Sequence, residues 1–467
     1  MRQKNSLATR LSTIFIICSW GSFGLTVHGG EILAFPGAEG SGAYAVGGRG
    51  GEVYEVTNLH DRGPGSLREA VDAKGPRIVV FHISGNIELR SSIVVSDPHL
   101  TIAGQTAPGG GICLKNYPLV IAADHVIVRY LRCRPGDNMG KEVDALSIAA
   151  GKNIIVDHCS ASWSVDETLS ASSSGNLGNV TVQWCIISES LDKSAHRKGR
   201  HGYGSLIRGS WGNAYSFHHN LYAHHRARLP RPGNYVNRSR DPEGFTLDFR
   251  NNVIYNWAGS CAGYNSDGSN GADSITRMNF VGNYYRRGPN STGNFAFHET
   301  TTCSRAHFHG NSMNGSYPDD PWSLVSFTGF SEDQKNRYKQ SEPIPVAPVR
   351  TNDALTAYEQ ILAHAGATLP ARDTVDARII REVTTATGRI IDDENEVGGW
   401  PQLKSLPADT DGDHDGMPDT WETRYQLRPN DPTDGPRDSD SDGYTNIEEF
   451  LNNTDPTQHV DYTRAGE

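Results

Sequence analysis

The sequence predicts an all-β protein wound as a right-handed parallel β-helix, followed by a small acidic module. The 467-residue chain carries 50 Gly and only 36% hydrophobic residues, which disfavours a helical bundle because Gly costs backbone entropy inside helices. Short runs rich in β-branched and aromatic residues, such as those starting at Arg77, Val126, Ile154, Val180 and Thr246, recur with the period of four cysteines. These are Cys113, Cys133, Cys159 and Cys185, spaced 20, 26 and 26 residues apart. Asn220, Asn252, Asn283 and Asn311 each precede or join such a run, at intervals of 28 to 32 residues. An amide ladder at one corner of a stacked coil accounts for that repeat, since Asn tolerates left-handed backbone and bonds to copies of itself. A β-sandwich would place turns at roughly 8–12-residue intervals instead.

The N-terminus reads as a secretory leader over residues 1–29. Arg2, Lys4 and Arg10 precede an apolar stretch around Ile14–Ile17, and small residues follow. That stretch is too short and too broken by Ser and Gly to span a membrane, and no other segment is long and apolar enough. The expected location is therefore secreted, extracellular or periplasmic. Removing the leader takes Cys18 and leaves six cysteines. The four periodic ones are expected as small buried side chains, one per turn, and Cys261 with Cys303 as a disulfide.

The body spans 30–405. Helical periodicity is expected only late, at 351–365 and 377–383, where amphipathic segments would pack across the outside of the coil after a Pro-rich linker at 342–348. Charge is uneven: the leader carries +3 and the segment from 406 to 467 carries −12, so the body is close to neutral at −2. A near-neutral body with local Arg clusters suits a polyanion, and the tail suits a cation.

The tail, 406–467, has a regular pattern. Asp411, Asp413, Asp415, Asp419 and Glu422 occupy positions 1, 3, 5, 9 and 12 of a loop with Gly416 at position 6. Asp438, Asp440, Asp442, Asn446 and Glu449 repeat it around Gly443, 27 residues on. Ca2+ takes six to eight oxygens around a tight turn, and this spacing provides them. The pattern resembles EF-hand and thrombospondin type 3-like repeats.

Chemistry concentrates in three segments of the body. Asp144, and Asp166 or Glu167 one turn later, would converge on one face, where carboxylates bind a hard cation or act as acid and base. A basic loop runs from Leu191 through Lys193, His196 and Arg197 to His201. His218 and His219, read as packing residues, are followed by Arg228-Leu229-Pro230-Arg231.

With these motifs the chain resembles pectate lyases of polysaccharide lyase family 1. Asn153-Ile-Ile-Val-Asp157-His158 matches the family's vWiDH motif with Ile155 replacing its Trp, and Arg228-Leu229-Pro230 matches its RxP motif. The resemblance covers about 34–400. It implies Ca2+-dependent β-elimination of α-1,4-galacturonan, an acidic polysaccharide, with removal of the C5 proton and expulsion of the C4 oxygen. It further implies Asp144, Asp166 and Glu167 as Ca2+ ligands, Arg228 as the base and Lys193 as a substrate residue. Gly233 stands where the family carries a second Arg, for which Arg231 substitutes. Asp157-His158 is read as a structural pair. No nucleic-acid partner is expected, and the chain is expected to be a monomer. Two other readings remain at this point: a β-helix glycoside hydrolase with two carboxylates among Asp144, Asp157 and Asp166, or a non-catalytic polysaccharide-binding surface protein.

Overall fold

A computed structural model describes residues 32–265 and 273–463. The expected leader, with Cys18, lies outside the described residues. The described residues form one unit, a parallel β-helix.

Three faces stack turn upon turn. The first runs from Glu52–Val56 and Arg77–Phe81 through Val126–Arg129, Leu177–Gln183, Ala214–His218 and Phe245–Arg250 to Arg305–His309 and Lys339–Gln340. The second runs from Gly85–Glu88 to Ser312–Met313. The third comprises Ile93–Val95, Leu119–Ala122, the start of Leu146–Asp157, Leu169–Ser172, Leu206–Gly209 and Arg231–Asn234. Further along the chain, Gly259–Asn265, Ser291–Glu299 and Val325–Phe327 form a three-stranded sheet of their own. Neighbouring turns pair in parallel and in register, so identical positions form columns along the axis. One interior column runs Val126, Ile154, Val180, Tyr215, Leu247, Met278 and Ala306. All seven side chains are fully buried, and each large one contributes about 1.5–3 kcal/mol by leaving water.

The amide ladder is present at the corner between the first two faces. Asn220 Nδ2 donates to Asn252 Oδ1 at 3.0 Å, Asn252 to Asn283 at 3.1 Å and Asn283 to Asn311 at 2.8 Å. The left-handed backbone falls one residue earlier than expected, on His219, Asn251, Gly282 and Gly310. In the preceding turns that corner position carries aromatic rings, which form a column of their own. Tyr130 stacks on His158, His158 on Trp184 and Trp184 on His219, with centroids 4.9, 5.9 and 4.5 Å apart. His219 is thus a packing residue.

Several expectations need correction. Cys261 and Cys303 are both free thiols; Cys261 lies in a strand facing Phe295, while Cys303 Sγ donates to Asp273 Oδ1 at 2.8 Å. The four periodic cysteines are buried one per turn, but not in a single column. Cys133 sits in register with Leu114 and Ala161, whereas Cys159 and Cys185 lie two residues beyond Asp157 and Gln183, past the end of their strands. Helices also begin earlier than the periodicity predicts, at Leu67–Asp72 and Glu332–Tyr338. Both are under two turns long and leave little periodic signal. The later helices span Ala354–His364 and Thr374–Thr385. The second is bolted to the coil through buried Arg134, which pairs with Asp376 at 2.7 Å. The segment at 342–348 is a strap rather than a free linker, held by two hydrogen bonds between Asn279 and the Ile344 backbone.

The tail packs on the outer surface of the first strands. Met417 and Ile447 fill a cluster with Ile78 and Val80. No entering helix precedes either acidic loop; each is followed by one short helix, Asp419–Arg424 or Asn446–Asn452. The loops have the expected spacing without the helix–loop–helix frame of an EF-hand.

Candidate active site

The loops that connect the second face to the third carry the chemistry. Just before the third-face strands begin, Glu167 bridges to Tyr203 and Tyr203 to Ala227, both in parallel. The Ala145 N–H donates to Glu167 O at 3.3 Å, the Thr168 N–H to Tyr203 O at 3.0 Å and the Gly204 N–H to Ala227 O at 3.0 Å. This short ladder sets residues 144, 167, 203 and 227 one turn apart, with Arg228 directly after the last, although loops of unequal length separate them in sequence.

Asp144, Asp166 and Glu167 present ligand oxygens that all lie within 4.8 Å of one another. The expected carboxylate cluster is therefore assembled. Burial and the neighbouring Asp166 charge push Asp144 up to about 7. Asp166 moves the other way: burial opposes its charge, but the His201 ring, 3.0 Å away, and Arg228 hold its carboxyl below the usual range. His201 stacks on His196 with ring centroids 3.7 Å apart. His196 Nδ1 accepts the Lys198 N–H at 3.1 Å, so in the neutral ring the proton sits on Nε2, which faces Glu142 and Asp166. That tautomer turns the Nε2 proton of His196 towards the carboxylates.

Arg228 adjoins the cluster in an ion pair with Glu167. The residue is 8% exposed, has left-handed backbone (φ 65°) and is followed by the cis Leu229–Pro230 bond. Its guanidinium lies 3.9 Å over the Tyr203 ring, and Nε reaches the Tyr264 hydroxyl at 3.4 Å. The Arg231 guanidinium lies 5.6 Å over the Tyr264 ring. Tyr203 and Tyr264 escaped the sequence reading because neither belongs to a motif or a period. Their only signal was position, one turn either side of Arg228.

Lys193 is exposed on a loop that is otherwise pinned. Its own N–H donates to Asp392 Oδ1, that of Ala195 to Asp137 Oδ2 and that of Arg197 to Glu142 Oε1. Asp157 belongs to another face, where Arg129 Nε, His158 Nδ1 and Gln183 Nε2 donate to its carboxylate. It is not beside Asp144.

A relative of nearly the same length decides the family. Probable pectate lyase C of Aspergillus flavus is 38% identical over 439 residues, covering 92% of this chain and 96% of the relative. The chain belongs to the pectate lyase family. A second pectate lyase C, from Emericella nidulans, is 39% identical over 439 residues, covering 91% of this chain and 93% of its own. Among solved structures, the cedar pollen allergen jun a 1 shares the fold, with a TM-score of 0.51 at 17% identity over 70% of this chain and 92% of that one. No family model matches the chain. Among the described residues of this lyase-family chain, no helix is long and apolar enough to cross a membrane.

The tail loops form separate oxygen clusters. Asp411 Oδ1 and Oδ2 accept the His414 and Gly416 N–H groups, and Asp438 does the same for Ser441 and Gly443. Asp415 Oδ1 accepts the Met417 N–H at 3.0 Å and Asp442 Oδ1 the Tyr444 N–H at 2.9 Å. The two loops are thus built alike. Asp411, Asp413 and Asp415 form one group of convergent oxygens, and Asp415, Glu422 and Asp434 another. Burial and mutual repulsion push Asp415 up to about 7, Glu422 to about 8 and Glu449 to about 7. Asp419 Oδ1 accepts the Gly412 N–H at 2.7 Å.

Proposed function

We propose that this chain is an exported, Ca2+-dependent pectate lyase that cleaves α-1,4-galacturonan by β-elimination, releasing unsaturated oligogalacturonides. One observation carries the reading: Asp144, Asp166 and Glu167 meet Arg228 at the edge of the third face, in a chain whose near-full-length relatives are pectate lyases. The reading takes 1–29 as a signal peptide, 30–405 as the catalytic coil and 406–467 as a calcium-binding tail, and the enzyme acts as a monomer.

The donor set fits calcium. All three groups of the body cluster offer carboxylate oxygen, the ligand type hard cations take, and a cation would offset the burial and the Asp166 charge that raise the Asp144 carboxyl. When bound, Ca2+ supplies the positive charge that neutralises the uronate carboxylate and makes the adjacent C5–H more acidic. Lys193 and Arg231 bind substrate carboxylates. Arg228 first gives a guanidinium proton to solvent and, now neutral, takes the C5 proton; the electron pair left on carbon forms the C4–C5 double bond as the C4–O bond breaks, and the departing oxygen is protonated from solvent, so no proton is consumed overall. Tyr203 and Tyr264 hold the guanidinium in place, so less of the barrier is spent on orienting it. In the tail, Asp411, Asp413, Asp415, Asp419 and Glu422 follow the spacing of one Ca2+ loop, and Asp438, Asp440, Asp442, Asn446 and Glu449 that of a second.

The test is ultraviolet absorbance of polygalacturonate incubated with the purified protein, with Ca2+ and with chelator. Rising absorbance that chelation abolishes and Arg228→Ala removes is the expected result. New reducing ends without absorbance overturn elimination in favour of hydrolysis.

A further inference from the structure

The tail buries more oxygen than its hydrogen bonds serve. Both carboxylate oxygens of Asp413 and Glu422, with Asp415 Oδ2, are buried without a hydrogen-bond partner; so are both of Glu449, with Asp440 Oδ2, Asp442 Oδ2 and Asn446 Oδ1. Glu422 is fully buried and Glu449 is 2% exposed. An unserved buried carboxylate is strongly unfavourable unless a cation compensates it, so these oxygens point to ions.

A residue outside the loop spacing belongs to the same set. Asp434 is 4% exposed, its Oδ1 is buried without a partner, and its ligand atom lies within 4.8 Å of those of Asp415 and Glu422. Asp434 also touches the second loop. Its carbonyl oxygen accepts Asn446 Nδ2 at 2.8 Å, and the next carbonyl, that of Gly435, accepts the Ile447 N–H at 3.1 Å.

From there the path leads to the coil. On the helix Asn446–Asn452, Asn446 and Glu449 contribute unserved oxygens, while Ile447, Glu448 and Asn452 dock. Glu448 pairs with Arg49 at 2.9 Å, Arg129 donates to Asn452 Oδ1 at 2.9 Å, and Ile447 packs with Ile78 and Val80. The loop glycines are pressed against the same surface. A Cβ on Gly416 would lie 2.5 Å from Ile447 Cδ1 and 2.9 Å from Val53 Cγ1, and one on Gly443 would lie 2.9 Å from Ile32 Cδ1.

We propose that the first tail calcium site takes Asp434 as a ligand in place of Asp419, and that Asp434 joins both sites into one clamp on the strands Glu52–Val56 and Arg77–Phe81. The proposal rests on the reading of the tail as calcium-binding. It makes calcium in the tail a holder of the start of the coil, separate from the ion at Asp144.

The experiment uses the full chain, stripped of calcium and titrated by calorimetry, with hydrogen–deuterium exchange followed at 52–56, 77–81 and 206–209. Asp434→Asn is expected to weaken one tail site about tenfold or more. At limiting calcium it should speed exchange at 52–56 and 77–81 while leaving 206–209 unchanged. Asp419→Asn should leave affinity within about threefold. Loss of affinity in Asp419→Asn but not in Asp434→Asn overturns the ligand assignment. Weakened binding with unchanged exchange overturns the clamp. The double variant Glu422→Gln/Glu449→Gln tests the underlying reading separately: an unchanged number of bound ions means that the tail holds none. Asp434→Ser, which also removes the carboxylate, is read in the same way if Asp434→Asn does not fold.

Discussion

Replacing Tyr203 with leucine removes the aromatic face on which Arg228 rests while keeping a side chain that fills much of the same space. The guanidinium carbon is 3.9 Å from the ring centroid and Arg228 is 8% exposed, so the contact is largely shielded from water. A cation over an aromatic face contributes about 0.5–2 kcal/mol, the upper part applying when water is excluded. If that energy orients Arg228 for proton removal, its loss lowers kcat/KM by a factor of about 2 to 30, and we expect about tenfold. Because the guanidinium acts at C5, the fall should appear mainly in kcat, with KM nearly unchanged. The assay is the initial rate of ultraviolet absorbance on polygalacturonate at saturating Ca2+, so that loading of the carboxylates is not limiting. Tyr203→Phe keeps the ring and should stay within about twofold of the original enzyme. Full activity in Tyr203→Leu, or equal damage in Tyr203→Phe and Tyr203→Leu, would refute the reasoning.

The same frame yields three more expectations. Arg228→Lys keeps a positive charge but loses the planar fork that engages Glu167 and Tyr264 together; the initial rate should drop by at least about a hundredfold while Ca2+ affinity stays measurable by calorimetry. Asn252→Ala breaks the middle of the amide ladder, stripping the acceptor from the Asn220 N–H and from its Nδ2 and the donor from Phe217 O. A loss of about 3–4 kcal/mol is expected from denaturant unfolding, larger than for Asn311→Ala at the ladder's end. Burial opposes charge on Asp157, but the His158 ring and the Arg129 guanidinium hold its carboxyl well below the usual range. Its stabilisation is therefore complete above about pH 4, the unfolded value, and is lost as pH falls towards the folded one. Asp157→Asn should flatten the acid limb of stability measured between pH 4 and pH 2.

What the sequence made legible was whatever repeats. The Asn series, the β-rich runs and the one-turn separation of Asp144 from Asp166 and Glu167 all follow from stacking in register, and register leaves a period. Features made by loops left none. Tyr203 and Tyr264 reach Arg228 from turns of unequal length, so no fixed spacing marks them. Asp434 lies between the two acidic loops, where a spacing motif has no position to offer it. The short helix Leu67–Asp72 is too brief for a hydrophobic period, and its Ser66 N-cap was its only local sign. The disulfide expectation failed because parity counts cysteines without seeing that Cys261 faces Phe295 across its own sheet.

The bridge from Glu167 through Tyr203 to Ala227 has a metrical consequence. Each step is one backbone hydrogen-bond spacing, about 4.8 Å, whatever the length of the loop that supplies the residue. Insertions can lengthen a loop's overhang without altering the pitch at which charged and aromatic groups are displayed along the axis. A linear polymer lying in that direction is read against a ruler whose graduations are peptide units, and loop variation changes which group stands at each mark, not where the marks fall.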